Sequence, residues 1–321
     1  MFVSFGLRFR AEVEALNMAE SVGNYARHRT APVVIKDGDK YRITLAPAVS
    51  GQSIAHGYMA ALVQLAQERG LPLSDDDKKY EEYGGFLKRA YDFNLDVEER
   101  IRTSVVEDIT GFMTTKEEGK GESKEDDEEK KPPAKRRTSP VMFSYLVPDT
   151  SSAKAVLVPQ LHVRYNIKET SEQRLYQVES GSGIYIQAVA VDVDRIGLIG
   201  NGKYVGDVCK RIELAFDALK LLYSGMLFGA KKARYLPIFE PLGGVAIVSP
   251  KPFMVLPPRL GDYVAENLAR LKALGYGKLF CFDREGITSC GKTEGAEAVG
   301  TLEELIDKTK QATLDGRCVT S

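Results

Sequence analysis

Apolar and polar side chains alternate over residues 3 to 13: Val3, Phe5, Leu7, Phe9, Ala11 and Val13 share one face, and Ser4, Arg8, Arg10 and Glu12 the other. This period of two predicts a half-buried strand. After a polar, basic connection from Gly23 to Pro32, the runs Val33-Val34-Ile35 and Tyr41 to Leu45 flank Asp37-Gly38, a strong hairpin signal. The spacing then becomes helical, with Ile54, Ala55, Tyr58, Ala61, Leu62, Leu65 and Ala66 on one stripe up to Gly70 and Ser50 as the expected N-cap. His56 falls opposite that stripe, and the free N–H groups of the first turn beside Ser50, Gln52 and Ser53 form an expected anion site.

Residues 71–110 are charged, break at Gly84-Gly85 and read as an inserted helical or irregular subdomain. Strand character resumes from Val141 to Val147 and from Ala155 to Asn166. In the second segment Leu157, Leu161, Val163 and Tyr165 share the apolar face, which leaves Gln160, His162 and Arg164 together on an exposed one. Two further strands, Leu175 to Glu179 and Gly183 to Val193, are expected to meet at a turn through Ser180-Gly181-Ser182-Gly183. A long helix follows, with Asp207 as its cap and a stripe from Val208 to Met226, ending before Gly229. Then come a strand at Gly243 to Val248, a helix at Asp262 to Leu274, a strand at Lys278 to Phe282, and a last helix whose Thr301 and Glu304 fit a capping box. This order predicts an α+β fold, with helices packed on one face of a mostly antiparallel sheet and compatible with a split β-α-β, ferredoxin-like arrangement.

Composition narrows the picture by exclusion. The 321 residues, 43% hydrophobic and 28% charged, are enough for a substantial core. No stretch reaches the roughly 18 apolar residues of a bilayer span and no signal sequence is seen, so a cytoplasmic location and no membrane partner are expected. The four cysteines include no CxxC pair, so neither a disulfide framework nor a zinc site is indicated, and three histidines offer little for metal chemistry. No metal and no cofactor are expected. Net charge is −1, but the run from Lys116 to Lys135, within an insertion at 114–135, holds six basic and eight acidic residues and no core-forming side chain. Such a run cannot offset its ordering entropy by burial and reads as mobile.

Three basic clusters remain: Arg27-His28-Arg29-Thr30, Arg136-Arg137-Thr138-Ser139 and Lys231-Lys232-Ala233-Arg234-Tyr235. Each couples cations to a hydroxyl or an aromatic ring, a combination suited to phosphate contacts and base stacking, although a charged surface of this size also produces such runs by chance. No phosphate loop, nucleophile elbow, HExxH pair or dinucleotide fingerprint occurs, so the chain is not expected to be an enzyme. His28 or His162 beside arginines is the remaining candidate for metal-free nuclease chemistry.

The segments Glu14 to Asn17, Ser21 to Asn24, His28 to Val34 and Ser50 to Tyr58 resemble the archaeal CRISPR-associated DevR family, the backbone subunit of type I-A Cascade complexes within the repeat-associated RNA-binding superfamily. Gly111-Phe112-Met113, Arg136 to Ser139, His162 to Tyr165 and Gly229 to Pro237 extend the likeness. It covers nearly the whole chain, strongly up to about Val63 and weakly over 71–110 and beyond Lys251.

The resemblance implies a modified RRM-like core, a single domain over 1–321 with inserted subdomains and a crescent shape, whose copies self-associate along CRISPR RNA. Other Cascade subunits, and target DNA reached through the guide, are the further implied partners. Asn24, Arg27, His28, Arg29 and Thr30, with Ser50, Gln52, Ser53 and His56, are expected on guide phosphates, with Arg136, Arg137, His162, Arg164, Lys231, Lys232 and Arg234 completing the RNA-binding set. The insertion before Arg136 corresponds to the family's thumb, although its acidic run is an odd ornament for an RNA-facing element. Related type III subunits cut RNA with an aspartate in an early loop; Gly23 to Pro32 holds no carboxylate here, which favours a scaffold. The alternatives are an RNA-processing endonuclease of the same superfamily and a regulatory protein-binding scaffold.

Overall fold

A computed structural model describes residues 1–80, 82, 88–89, 92, 94–114, 134–164 and 174–318. Its elements in chain order are β1 (Phe2–Glu14), β2 (Met18–Val22), β3 (Tyr25–His28), β4 (Thr30–Asp37), β5 (Lys40–Pro47), α1 (Gly51–Glu68), α2 (Asp75–Lys78), α3 (Val97–Thr103), α4 (Val105–Thr110), β6 (Phe112–Met113), β7 (Arg136–Arg137), β8 (Val141–Phe143), β9 (Val147–Pro148), β10 (Val156–Arg164), β11 (Arg174–Asp192), β12 (Leu198–Gly200), β13 (Lys203–Tyr204), α5 (Val208–Ser224), β14 (Ile238–Ser249), α6 (Tyr263–Leu274), β15 (Lys278–Asp283), β16 (Ala296–Ala298) and α7 (Leu302–Arg317). The insertion at 114–135 lies, but for its ends, outside the described residues.

The sheet runs β16-β15-β14-β1-β11-β3-β2, and β8, β9 and β10 also pair with β11. It is mostly antiparallel; β3 with β11 and β15 with β16 are parallel. β1 lies at the centre, with Phe5 opposite Val189 of β11 on one side and Ala246 of β14 on the other. Val3, Phe5, Leu7 and Phe9 face a core completed by Ile54, Tyr58 and Leu62 of α1, Ile212 and Phe216 of α5, and Leu305 and Ile306 of α7. Fully burying each such side chain contributes about 1.5–3 kcal/mol.

The opposite face departs from expectation. Ser4 and Arg8, assigned to an open side of the strand, are buried, because the segment after β14 crosses β1 and α6 packs behind it. Ser4 donates to the Phe253 carbonyl at 2.7 Å, and Arg8 bonds Asp149 at 2.5 Å and Glu285 at 2.6 Å. Val264, Leu268 and Leu271 of α6 meet Val245, Ile247 and Leu279, forming a second core. Helices therefore occupy both faces, not one.

Other differences have equally concrete causes. The Ser180 to Gly183 stretch is no turn: β11 continues through it, opposite Val156 and Leu157 of β10 and Glu14 of β1. Glycine fits at 181 because a Cβ would lie 2.7 Å from Glu14 Oε1. On β10 two expectations are exchanged: Leu161 is 61% exposed, while His162 is half-buried because its ring stacks on Tyr176 of β11. Asp207 makes no capping bond and instead accepts from Arg211 Nε at 2.9 Å. α5 stops at Ser224, freeing residues 226–235 to cross toward α1. All four cysteines are paired, Cys209–Cys318 and Cys281–Cys290, overturning the expectation of no disulfides; packing the end of α7 against the start of α5 brings partners 109 residues apart together. No helix among the described residues is long and apolar enough to cross a membrane.

Candidate nucleic-acid interface

One end of β11 gathers three of the sequence-predicted segments. β3 pairs with it in parallel, Tyr25 opposite Gln177, and Gln177 N donates to the Asn24 carbonyl at 2.8 Å. β10 lies on the other side, with His162 opposite Tyr176. The His162 ring stacks on Tyr176, centroids 5.1 Å apart, and hydrogen-bonds the Tyr235 hydroxyl. Tyr235 is 9% exposed and anchors the loop Lys231 to Tyr235, from which Arg234 reaches back to the Tyr176 hydroxyl at 3.0 Å. Tyr176 was missed in the sequence, because its place opposite His162 is set by the β10–β11 register.

α1 joins this surface through short ties. Ser50 N donates to Asn17 Oδ1 at 2.8 Å, and Ala48 N to the Arg29 carbonyl at 3.0 Å. Ala230 N donates to the Leu16 carbonyl at 2.7 Å. A Cβ at Gly57 would sit 2.6 Å from the Leu227 carbonyl oxygen, so glycine lets residues 226–230 press onto the helix. Asn17, whose side chain holds the helix start, carried no sequence signal of its own.

The predicted residues divide by exposure. Asn24, Arg27, Thr30, Gln52, His56, Arg136, Lys231 and Arg234 are exposed; Arg29, Ser53 and Lys232 are half-buried. Arg29 Nε is buried without a hydrogen-bond partner. Lys232 donates to the Met226 carbonyl at 2.6 Å, and burial holds its ammonium below the usual lysine value. Ser50 is 7% exposed and its hydroxyl accepts from Ser53 N at 3.2 Å, leaving it a cap rather than a ligand-facing group. The Arg164 side chain lies outside the described residues.

Two further expected contacts are corrected. His28 is 4% exposed: Nε2 lies 2.8 Å from Glu14 Oε2 and Nδ1 2.7 Å from the Arg29 carbonyl oxygen. Burial by itself lowers its pKa, but the bonds and charge of Glu14 outweigh that and hold it above the ordinary value; Glu14 is held below its own. Glu14 also accepts from Leu16 N at 2.8 Å and the Tyr185 hydroxyl at 2.9 Å. With both ring nitrogens engaged, His28 offers none to a phosphate or to a nucleophile.

Arg137 is the other. Its side chain is 7% exposed and pairs with Asp108 at 2.5 Å beneath α4, where Arg211 binds the second Asp108 oxygen at 2.9 Å. Next to it Arg100 bonds Glu107 at 3.0 Å, with Arg89 on the other oxygen. Burial pushes the Asp108 and Glu107 carboxyls up against the pull of these arginines. Of the two arginines in that cluster, only Arg136 is exposed. Among the described residues no group of His, Cys, Asp and Glu is arranged to hold a metal ion.

Comparison with known proteins is consistent in its direction. Residues 5–268 match the family described as CRISPR-associated negative auto-regulator DevR/Csa2. The chain is 38% identical over 284 residues to the CRISPR-associated protein Cas7/Csa2 1 of Saccharolobus solfataricus, covering 82% of this chain and 83% of that protein. It is 30% identical to the CRISPR-associated aCascade subunit Cas7/Csa2 2 of the same organism, over 96% of this chain and 99% of the other. Its fold is similar to that of a chain in a solved CRISPR RNA-guided surveillance complex, pre-nicking, with TM-score 0.56 and 10% identity, covering 97% of this chain and 100% of that one.

Proposed function

The chain belongs to the DevR/Csa2 family, and from that premise we propose that it is a non-catalytic backbone subunit of a CRISPR RNA-guided surveillance complex in the cytoplasm. It holds CRISPR RNA by its phosphates and leaves the bases to pair with target DNA, so that the protein reads backbone and base pairing reads sequence.

The observation that carries this reading is the convergence of Arg27, Arg29, Lys231 and Arg234 with the start of α1 around one end of β11. Exposed guanidinium and ammonium groups beside the N-terminus of a helix suit successive phosphates. The order β14-β1-β11, with α1 following β1, α5 preceding β14, and β8 to β10 on the far side of β11, supports a modified RRM-like core carrying insertions at 71–110 and 114–135. An ordinary RRM stacks bases on its open sheet face. Here α6 and the segment after β14 cover that face, which favours loops as the RNA contact.

Copies associate along the RNA and with other subunits of the complex. The hairpin β4–β5 supports such contacts, since Val34, Tyr41, Ile43 and Leu45 are all more than half exposed. The nuclease alternative loses one of its two candidate bases with the burial of His28 and keeps His162.

The test is to mix labelled CRISPR RNA with the protein, with and without divalent metal, and to examine RNA integrity and then the particles by electron microscopy. Intact RNA in extended assemblies is the expected result. Cut RNA would transfer the assignment to a nuclease, and no binding would reject both.

A further inference from the structure

We propose that His28 and Glu14 form a proton-holding pair that positions the basic loop from Gly23 to Thr30 and thereby makes RNA affinity fall as pH rises. The coupling to RNA rests on the function proposed above; the pair itself rests on geometry alone.

Nδ1 of His28 faces the Arg29 carbonyl oxygen at 2.7 Å, which can only accept, so that nitrogen carries a proton. Nε2 faces a carboxylate oxygen of Glu14 at 2.8 Å, so a second proton must lie between them. Leu16 N and the Tyr185 hydroxyl both donate to Glu14, which favours the ionised carboxylate and leaves the proton on the imidazole. Glu179 of β11 adds a second negative charge nearby, accepting from His28 N at 2.7 Å and from the Tyr25 hydroxyl. The charged or titratable groups around the ring are therefore Glu14 from β1, Glu179 and Tyr185 from β11, and Tyr25 and Arg29 from its own segment. Losing the shared proton would set a nitrogen lone pair against a carboxylate where His28 is 4% and Glu14 0% exposed.

The pair sits where three segments are tied. The Arg29 carbonyl that accepts from Nδ1 also accepts from Ala48 N at 3.0 Å, just before α1, and Arg29 N donates to the Asn17 carbonyl at 2.7 Å. Arg27 and Arg29 flank the histidine in sequence, so a shift of its ring is transmitted to the cations expected on phosphate. His28 is thus a positioning residue, not a contact.

The direction follows from the two groups. His28 is held above its ordinary 6.5, so its contribution is complete below that value and is lost as pH rises through its higher folded-state value. Glu14 is held below its ordinary 4.5, so its contribution is present above that value and is lost as pH falls through its lower folded-state value. The pair therefore acts fully between the two ordinary values and fades on the alkaline side.

The experiment follows thermal unfolding, and affinity for labelled CRISPR RNA at fixed salt, from about pH 6 to about pH 9 for the wild type and Glu14→Gln. The wild type is expected to lose about tenfold in RNA affinity across that range together with melting temperature, and the variant to show a flatter alkaline limb in both. The imidazole C–H resonances of the three histidines supply a readout that needs no folded variant: the His28 signal should titrate above the ordinary histidine range. Identical alkaline limbs in wild type and variant, or a His28 resonance that titrates at or below that range, would overturn the pair while RNA binding persists. Absence of RNA binding at every pH would instead overturn the functional reading and the coupling with it.

Discussion

Arg27 and Arg137 both stand in short basic runs, yet the fold treats them oppositely. Around the end of β11, Arg27, Lys231 and Arg234 remain exposed. Beneath α4, Arg137 and Arg211 share Asp108, and Arg89 and Arg100 share Glu107, all nearly out of water. The first region holds cations available to an outside partner; the second uses them to fasten the segment carrying α3 and α4 to α5 and β7. Cationic sequence is thus not by itself a binding signal. What decides is whether a carboxylate from elsewhere in the chain reaches the same buried space.

The contrast can be broken most forcefully in the buried region. Reducing Cys209–Cys318, which ties the helix carrying Arg211 to the end of α7 across 109 residues, should cost about 4–5 kcal/mol in urea unfolding. Asp108→Ala leaves the buried Arg137 without its counter-charge and takes one of two carboxylates from Arg211, and should cost about 3–5 kcal/mol. In either case the salt dependence of RNA binding should stay unchanged in the folded protein; a flatter slope would mean that this region also touches RNA.

Smaller effects sharpen the other side. His162→Ala removes the stack on Tyr176 and the bond to Tyr235, with an expected loss of about 2 kcal/mol. It should also weaken RNA binding without unfolding the protein, and unchanged affinity would reject its place at the interface. Arg27→Ala and Lys231→Ala should each shift stability by less than about 0.5 kcal/mol. Each should flatten the log–log salt slope of single-strand binding by about 0.7. A melting temperature that drops sharply in either variant would erase the distinction between the two regions.

Local pattern made many of the elements legible. The alternation in β1, the β4–β5 hairpin, and the Ser50 and Thr301 caps at 3.2 and 3.1 Å occur where spacing and residue type predicted them. The failures trace mainly to a layer contributed from far away. β1 looked half-buried because the segment that covers Ser4 and Arg8 lies about 250 residues on. Leu161 and Val163 looked like core, but among the described residues both are exposed. Ser180-Gly181-Ser182-Gly183 has the composition of a turn, yet its glycines serve close contact with β1 and with the start of β10.

The α+β class, the positions of the main helices and strands, and the family resemblance were legible along the chain, because capping, periodicity and short motifs are properties of sequence neighbours. Which cations stay exposed was settled by the fold. Arg137 meets an aspartate 29 residues away that is shared with Arg211, 103 residues further on, and His28 meets a glutamate 14 residues away. Whether a charge ends in water or in a buried pair depends on what the fold carries to its side, and composition holds no record of that distance.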